Sequence, residues 1–279
     1  MTSNNNQYPL VSIITPSYNQ AIYLEDTIQS VLIQNYPNLE YIIIDGGSTD
    51  GSVEIIKNYA DKYSFIKWIT EKDQGQSDGI NKGFKIAKGD IVAWLNSDDT
   101  YCNGAIYNSV KYLVEHPDVI LVYGNANLID QNNRILEQFP YAEEFSLDRL
   151  INHNLFIMQP TAFWRKELFD VIGYLDVDLK YTMDWDFWIR AGSKFKLAYY
   201  PVLIANTREY PTTKTFGGGF ERLREIRKIF DKYSNRKYPP LYINLIFDTY
   251  YKKIYYYSPV IANLFLKFKK IAVKLVRKT

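Results

Sequence analysis

Four short segments carry side chains able to do chemistry. In Asn96-Ser97-Asp98-Asp99 two adjacent carboxylates follow an apolar run over Asp90–Leu95. Two neighbouring negative charges at the end of a buried strand repel unless something offsets them. A phosphate-bound divalent cation does so, and hard oxygen ligands suit Mg2+ or Mn2+. The same residues also fit a solvated turn in which Asp99 caps a helix. Asp45 follows Tyr41-Ile-Ile-Ile44, again a strand end, where a carboxylate accepts from a base N–H or a ribose hydroxyl. Its other reading is a tight Asp45-Gly46 turn. In Met183-Asp-Trp-Asp-Phe-Trp-Ile-Arg190, Asp186 and Arg190 are four apart and pair if the segment is helical. Asp184 then stands at the helix start, where the dipole keeps it ionised. There it is either a helix cap or a general base for a hydroxyl.

The elements that must position these groups alternate. Apolar runs over Leu10–Thr15, Leu39–Ile44, Phe65–Thr70 and Asp90–Leu95 read as strands. Between them Leu24, Ile28, Val31 and Leu32, then Val53, Ile56 and Ala60, then Ile80, Phe84 and Ala87 fall on helix faces. Asn19 is placed to cap the first helix. Strand–helix–strand units of this length predict an α/β fold, a mostly parallel sheet flanked by helices. Right-handed crossovers put the strand ends on one edge, where ligands sit. Thr15–Asn19, Asp45–Asp50 and Asn96–Asp99 are therefore expected to converge. After residue 105 the pattern loosens. It predicts a strand at Val119–Gly124, a hairpin over Leu128–Phe139, a short helix within Thr161–Ile172 and another at Trp185–Ala191. A strand follows at Phe195–Ala205, then a mobile loop over Thr207–Phe220.

Composition narrows the class. Aromatic residues make up 16%, with 25 tyrosines, a content that suits sugar-stacking surfaces and membrane interfaces. One cysteine and two histidines argue against a disulfide framework and against a zinc site. No Walker-type, Gly-x-Ser-x-Gly or Gly-x-Gly-x-x-Gly segment is present. The start lacks the pattern of a signal peptide, and no apolar run is long enough to span a bilayer, so a cytoplasmic location is expected. Residues 220–279 hold 15 Lys/Arg against 4 Asp/Glu, whereas the preceding 219 hold 18 against 27. The acidic body and the tail's many apolar residues argue against a nucleic-acid binder. The basic, aromatic tail, with Ile261–Val276 at roughly helical spacing, suits an anionic membrane surface or packing on the body.

Taken in order, these segments resemble glycosyltransferase family 2, with its GT-A fold. The likeness rests on Val11–Asn19, Ile44–Gly51, Asp73–Gly83, Gly89–Asp99 and Met183–Arg190, and spans about residues 9 to 215. It implies an inverting transfer from a nucleotide-sugar donor, expected to be a UDP-sugar, to a glycan or lipid-linked glycan acceptor in surface polysaccharide or lipopolysaccharide synthesis. Residues 9–219 would form the transferase domain and 220–279 a helical appendage, peripheral on the inner membrane face. Thr15, Pro16, Tyr18 and Asp45 would hold the base and ribose, with Asp78 near the donor sugar. Asn96, Ser97 and Asp98 would line the diphosphate, Asp98 binding the Mn2+ or Mg2+ with Asp99 beside it. Asp184 would be the base, and Arg208 and Lys214 would close over the diphosphate.

Three positions depart from the family pattern. Asn96 replaces the first acid of Asp-x-Asp, Met183 replaces the Glu before the base, and Tyr210 stands near where the late loop often has a histidine. These departures keep a second reading open: a binding module on the same fold with turnover impaired.

Overall fold

The computed structural model describes residues 8–210, 213–214 and 218–258. The first strands and helices follow the alternation in the sequence. They are β1 (Val11–Ser17), α1 (Ala21–Leu32), β2 (Leu39–Asp45), α2 (Ser52–Ala60), β3 (Ile66–Thr70), α3 (Gln76–Ile86) and β4 (Ile91–Trp94). A two-residue strand β5 (Thr100–Tyr101) and helix α4 (Ala105–Glu115) lead into the long β6 (Val119–Ile129). Next come β7 (Ile135–Gln138), α5 (Leu147–Asn152), a 3-10 turn at Gln159–Thr161, β8 (Phe163–Arg165) and α6 (Leu168–Ile172). The described chain closes with α7 (Met183–Gly192), β9 (Lys196–Arg208), α8 (Gly219–Tyr233) and α9 (Pro240–Tyr257).

The nine strands of the described residues form one sheet in the order β3-β2-β1-β4-β8-β6-β9-β5, with β7 also on β6. Strands β3, β2, β1 and β4 run parallel, as the crossover helices require. Strand β8 is antiparallel to both β4 and β6, and joins the parallel half to the pair β6–β9. Both faces of the sheet are covered. Alternate residues of a strand point to opposite faces. Ile14, Ile42, Ile44, Trp94 and Trp164 therefore enter one core with Phe84 of α3 and Trp188 of α7. Val11, Ile13, Tyr41, Ile43, Ala93 and Phe163 enter the other with Leu24 and Ile28 of α1 and Val110 of α4. Gly83 lets α3 sit close on β1, since a Cβ there would lie 2.5 Å from Ile14 Cγ2.

Several expectations change. The expected hairpin forms as β6–β7, but Val119–Gly124 is only the first half of an eleven-residue strand. Much of the aromatic content serves the core. Trp94, Trp164, Trp185 and Trp188 are buried, and Trp94 stacks on Trp188 at 5.7 Å. Asn19 does not cap α1; it has φ 51°, and its Oδ1 accepts from Thr49 N instead. Ala21 N at the head of α1 donates to Asp50, whose other oxygen accepts from Ser52 at the head of α2. One carboxylate thus serves two helix starts and joins the first two strand-end loops.

Helix α8 packs into the same core as α7 through Leu223, Ile226, Ile229 and Phe230, the last edge-on to Trp185 at 5.2 Å. Asp186, 1% exposed, accepts from Arg190, Lys232 and Tyr233. The expected pairing of Asp186 with Arg190 is present, and it also ties α7 to α8. Among the described residues no helix is long and apolar enough to cross a membrane. The basic stretch Ile261–Val276 lies outside the described residues.

Candidate active site

Parallel strands end together, and so do their loops. Asn19 N donates to Ser48 Oγ at 2.8 Å, joining the loops after β1 and β2. The loop after β3 joins them through Asp73. A Cβ on Gly46 would lie 2.7 Å from Asp73 Oδ2, so only glycine lets that carboxylate lie against the β2 loop. The loop after β4 is reached from α3, where Gln76 Nε2 donates to Asn96 Oδ1 at 2.7 Å. Lys214 sits within electrostatic range of Asp73 and Asp98, and also of Asp184 on α7. Groups far apart in sequence therefore share one crevice.

Asp98 and Asp99 have different surroundings. The Tyr210 hydroxyl donates to Asp98 Oδ2 at 2.7 Å, leaving Oδ1 without a side-chain partner among the described residues. Asp99 is 3% exposed and committed on both oxygens. Oδ1 accepts from Arg208 N at 3.0 Å, and Oδ2 from Asn96 Nδ2 at 3.3 Å. Burial raises the pKa of Asp98, against the pull of Tyr210, Arg208 and Lys214. Burial and then the charge of Asp98 hold Asp99 well above the carboxylate range. Asp99 is thus a structural acid that ties the β4 loop to the end of β9.

Asn96 sits in a chain of amides. It donates to Gln159 Oε1 at 2.9 Å, and Gln159 Nε2 in turn donates to Trp94 O at 2.8 Å. Ser97 is buried beside it.

Asp184 occupies the first turn of α7. Its Oδ1 accepts from Trp185 N at 2.7 Å. Burial raises its pKa, against the positive charges of Arg222 and Lys214. A carboxylate that is moderately desolvated and faced by cations is a competent proton acceptor.

The remaining sequence expectations divide. Tyr18 is 61% exposed at the mouth, its ring beside Gly46. Pro16 lies on β1 near Gly79 of α3. Thr15 is buried, with its hydroxyl turned to Tyr41 OH at 3.1 Å. Asp45 is 0% exposed and accepts from Gly47 N, Ser48 N, Ser48 Oγ and Thr70 Oγ1. It shapes the loop a ligand would meet. Asp78 turns to Gln74 N and pairs with Lys82 at 3.4 Å.

Arg208 is not in the glycine-rich loop. It ends β9, 2% exposed, with all five N–H groups used. They reach Asp98 O, Asp130 O, Gln131 O, Asp26 and Asn133, and the guanidinium lies 4.4 Å from the Tyr23 ring centre. No donor remains for a phosphate. Of the two expected clamps, Lys214 alone is within electrostatic range of Asp73, Asp98 and Asp184.

The sequence assigns no role to Gln159 or Arg222, and it marks Tyr210 only as a departure and Asp73 only as the start of a motif. The strand-end rule applied after Phe65–Thr70 also points to Asp73, whereas Gln159 and Arg222 lie on no strand end and carry no motif.

Known proteins share this fold. The fold is similar to that of S. aureus TarS in complex with UDP-GlcNAc, with a TM-score of 0.61 at 18% identity, over 86% of this chain and 80% of that one. It is similar also to a mannosyltransferase from Pyrobaculum calidifontis in complex with GDP-Man and Mn2+, at 0.61 and 19%, over 96% and 76%. The fold is thus that of GT-A glycosyltransferases. The family model for glycosyl transferase family 2 matches residues 12–173, and the chain belongs to that family. An uncharacterized glycosyltransferase of Rickettsia typhi is 33% identical over 198 residues, 67% of this chain and 59% of the relative's length. This chain thus spans about three fifths of that relative. A PGL/p-HBAD biosynthesis glycosyltransferase of Mycobacterium bovis is 31% identical over 206 residues, covering 72% and 78%.

Proposed function

We propose that this protein transfers a sugar from a nucleoside-diphosphate sugar to a hydroxyl of a glycan acceptor, with inversion at C1. The observation that carries this reading is that Lys214 is within electrostatic range of both Asp184 and Asp98. The acceptor oxygen bonds to C1 as the bond from C1 to the diphosphate oxygen breaks. The hydroxyl proton passes to Asp184, whose Oδ1 is already held by Trp185 N, so Oδ2 receives it. The bonding electrons leave with the diphosphate, which Lys214 meets. One displacement needs one base and no enzyme nucleophile, and inversion follows.

The residues fit a divalent cation in a specific way. No cluster of three or more His, Cys, Asp or Glu able to hold a metal occurs among the described residues. Asp98 has one oxygen to offer, and Mg2+ or Mn2+ commonly takes one or two carboxylates with the rest of its shell from phosphate and water. Asp98 would hold the ion, with the donor's own diphosphate as co-ligand and Asp99 outside the shell. Such an ion supplies charge neutralisation at the leaving group.

A UDP-sugar is the donor class we favour, in line with the ligands of TarS, and the mycobacterial relative supports a role in surface glycan or glycolipid synthesis. We place the enzyme in the cytoplasm, with the basic C-terminal residues beyond α8 against the anionic inner membrane face, near a lipid-linked acceptor.

Release of nucleoside diphosphate from a panel of nucleotide sugars with Mn2+ or Mg2+ tests the reading. Release from one donor, lost on chelation and in Asp98→Ala and Asp184→Asn, is expected. A second reading, a binding module, is favoured by the amide at Asn96 and the full commitment of Asp99. It predicts donor binding without release, unaltered by Asp184→Asn.

A further inference from the structure

Glu225 is an acid from outside the five motifs, on α8, and it is 8% exposed. Its partners are three consecutive residues of the segment that enters α7. Lys180 N donates to Oε1 at 2.9 Å, Tyr181 N to Oε2 at 2.8 Å, and Thr182 Oγ1 to Oε2 at 3.3 Å. The helix that follows carries Asp184 in its first turn. A carboxylate accepting two backbone N–H groups and a hydroxyl is a charge-assisted clamp. It holds the backbone two to four residues ahead of the candidate base.

The same helix reaches the base by a second route. Arg222 lies one turn before Glu225 on the same face of α8, and its charge acts on Asp184. Gly218 at the start of α8 lies against the Tyr181 ring, 2.7 Å from where a Cβ would stand.

We propose that Glu225 is a positioning residue for transfer: it fixes the entry to α7 so that Asp184 stands at the acceptor's proton, which makes α8 part of the active site. The proposal rests on Asp184 being the base. Its effect is on orientation and not on donor binding, so it separates kcat from KM.

The test uses the full chain with Glu225→Gln, and with Glu221→Gln as control. Glu221 is exposed and, among the described residues, accepts only from the Tyr181 hydroxyl, at 3.3 Å. A glutamine has one acceptor oxygen where three donors converge, so one N–H loses its partner. In Glu225→Gln, kcat is expected to fall about 10- to 100-fold, the scale of a small misplacement, with donor KM unchanged. The acid limb of the pH–rate profile should move to lower pH as Asp184 relaxes toward water. A second readout needs no turnover: the carboxyl-carbon NMR titration of Asp184, identified by its loss in Asp184→Asn. Its midpoint should fall in Glu225→Gln and stay put in Glu221→Gln. An unchanged midpoint in folded Glu225→Gln would overturn the proposal. So would a loss of kcat that only follows the loss of folded protein in calorimetry. A shifted midpoint in a chain that transfers from no donor would uphold the link and remove the transferase reading instead.

Discussion

Tyr210 and Asp98 are 112 positions apart, yet the phenol of one donates to the carboxylate of the other at 2.7 Å. Tyr210 also packs on Tyr23 at 5.3 Å and accepts from Gln20 at 3.4 Å, so the hydroxyl is held in place. This bond lowers the pKa of Asp98 against the burial that raises it. Tyr210→Phe removes it and lets the Asp98 pKa rise further. A bond of this kind is worth about 0.5–1.5 kcal/mol. The concentration of Mn2+ or Mg2+ giving half-maximal release should rise severalfold, more at acid pH than at alkaline pH. Metal titration at two pH values checks this.

Asp184→Asn should cut release to a small residual rate without weakening donor binding. Loss of a general base costs on the order of 10²–10⁴ in rate. Since burial raises the Asp184 pKa, the wild-type rate should climb with pH through that raised value, and the residual rate of the variant should not. The stability effect has the opposite sense. An acid with a higher pKa folded than unfolded leaves the native state binding more protons between the two values, so its contribution to stability falls as pH rises through that window. Asp184→Asn should therefore melt higher than wild type at neutral pH. The difference should close as pH falls below the unfolded pKa.

Arg208 and Lys214 should separate cleanly. Arg208→Ala strands three backbone carbonyls and the ring of Tyr23, and truncating a buried, fully bonded charge costs about 3–5 kcal/mol. Its signature is a large fall in melting temperature. Lys214→Ala should leave melting unchanged and raise donor KM roughly 10- to 100-fold, the worth of a hydrogen bond to a charged group. Calorimetry alongside donor kinetics on both variants distinguishes them. A stable Arg208→Ala with a raised donor KM would show that Arg208 acts on the diphosphate after all.

Asn96→Asp would restore the acid of the family pattern into surroundings that do not welcome it. The new carboxylate loses the N–H groups now given to Gln159 and Asp99, and adds a charge beside Asp99. An acceptor left facing acceptors costs about 1–3 kcal/mol. The variant should melt lower than wild type at neutral pH, recover part of the loss in acid, and recover more with Mn2+ than wild type gains. Melting curves with and without the ion, at two pH values, read this directly.

The sequence by itself determined the alternation of strand and helix through β4, the strand ends at Asp45 and Asp98, and the pairing of Asp186 with Arg190. Apolar periodicity is a local signal, and right-handed crossovers leave few ways to cover four parallel strands on both faces. The short strands β5 and β8 were invisible because two or three residues carry no period; the sheet that needs an edge or a bridge there makes them. Helix α4 went unremarked although Ile106, Val110 and Leu113 keep helical spacing.

What the tertiary structure alone decided is which acid is spent on what. Asp99 looked like a second metal ligand until Arg208 N, 109 positions away, was found on its carboxylate. Arg208 looked like part of a loop until β9 proved long enough to end on it. Tyr210 and Glu225 take their importance from partners 112 and about 44 residues distant. Spacing along a chain tells which groups can share a helix face or a strand end. Whether a buried carboxylate is free to meet a ligand depends on which donors the fold brings to its two oxygens, and those come from anywhere in the sequence.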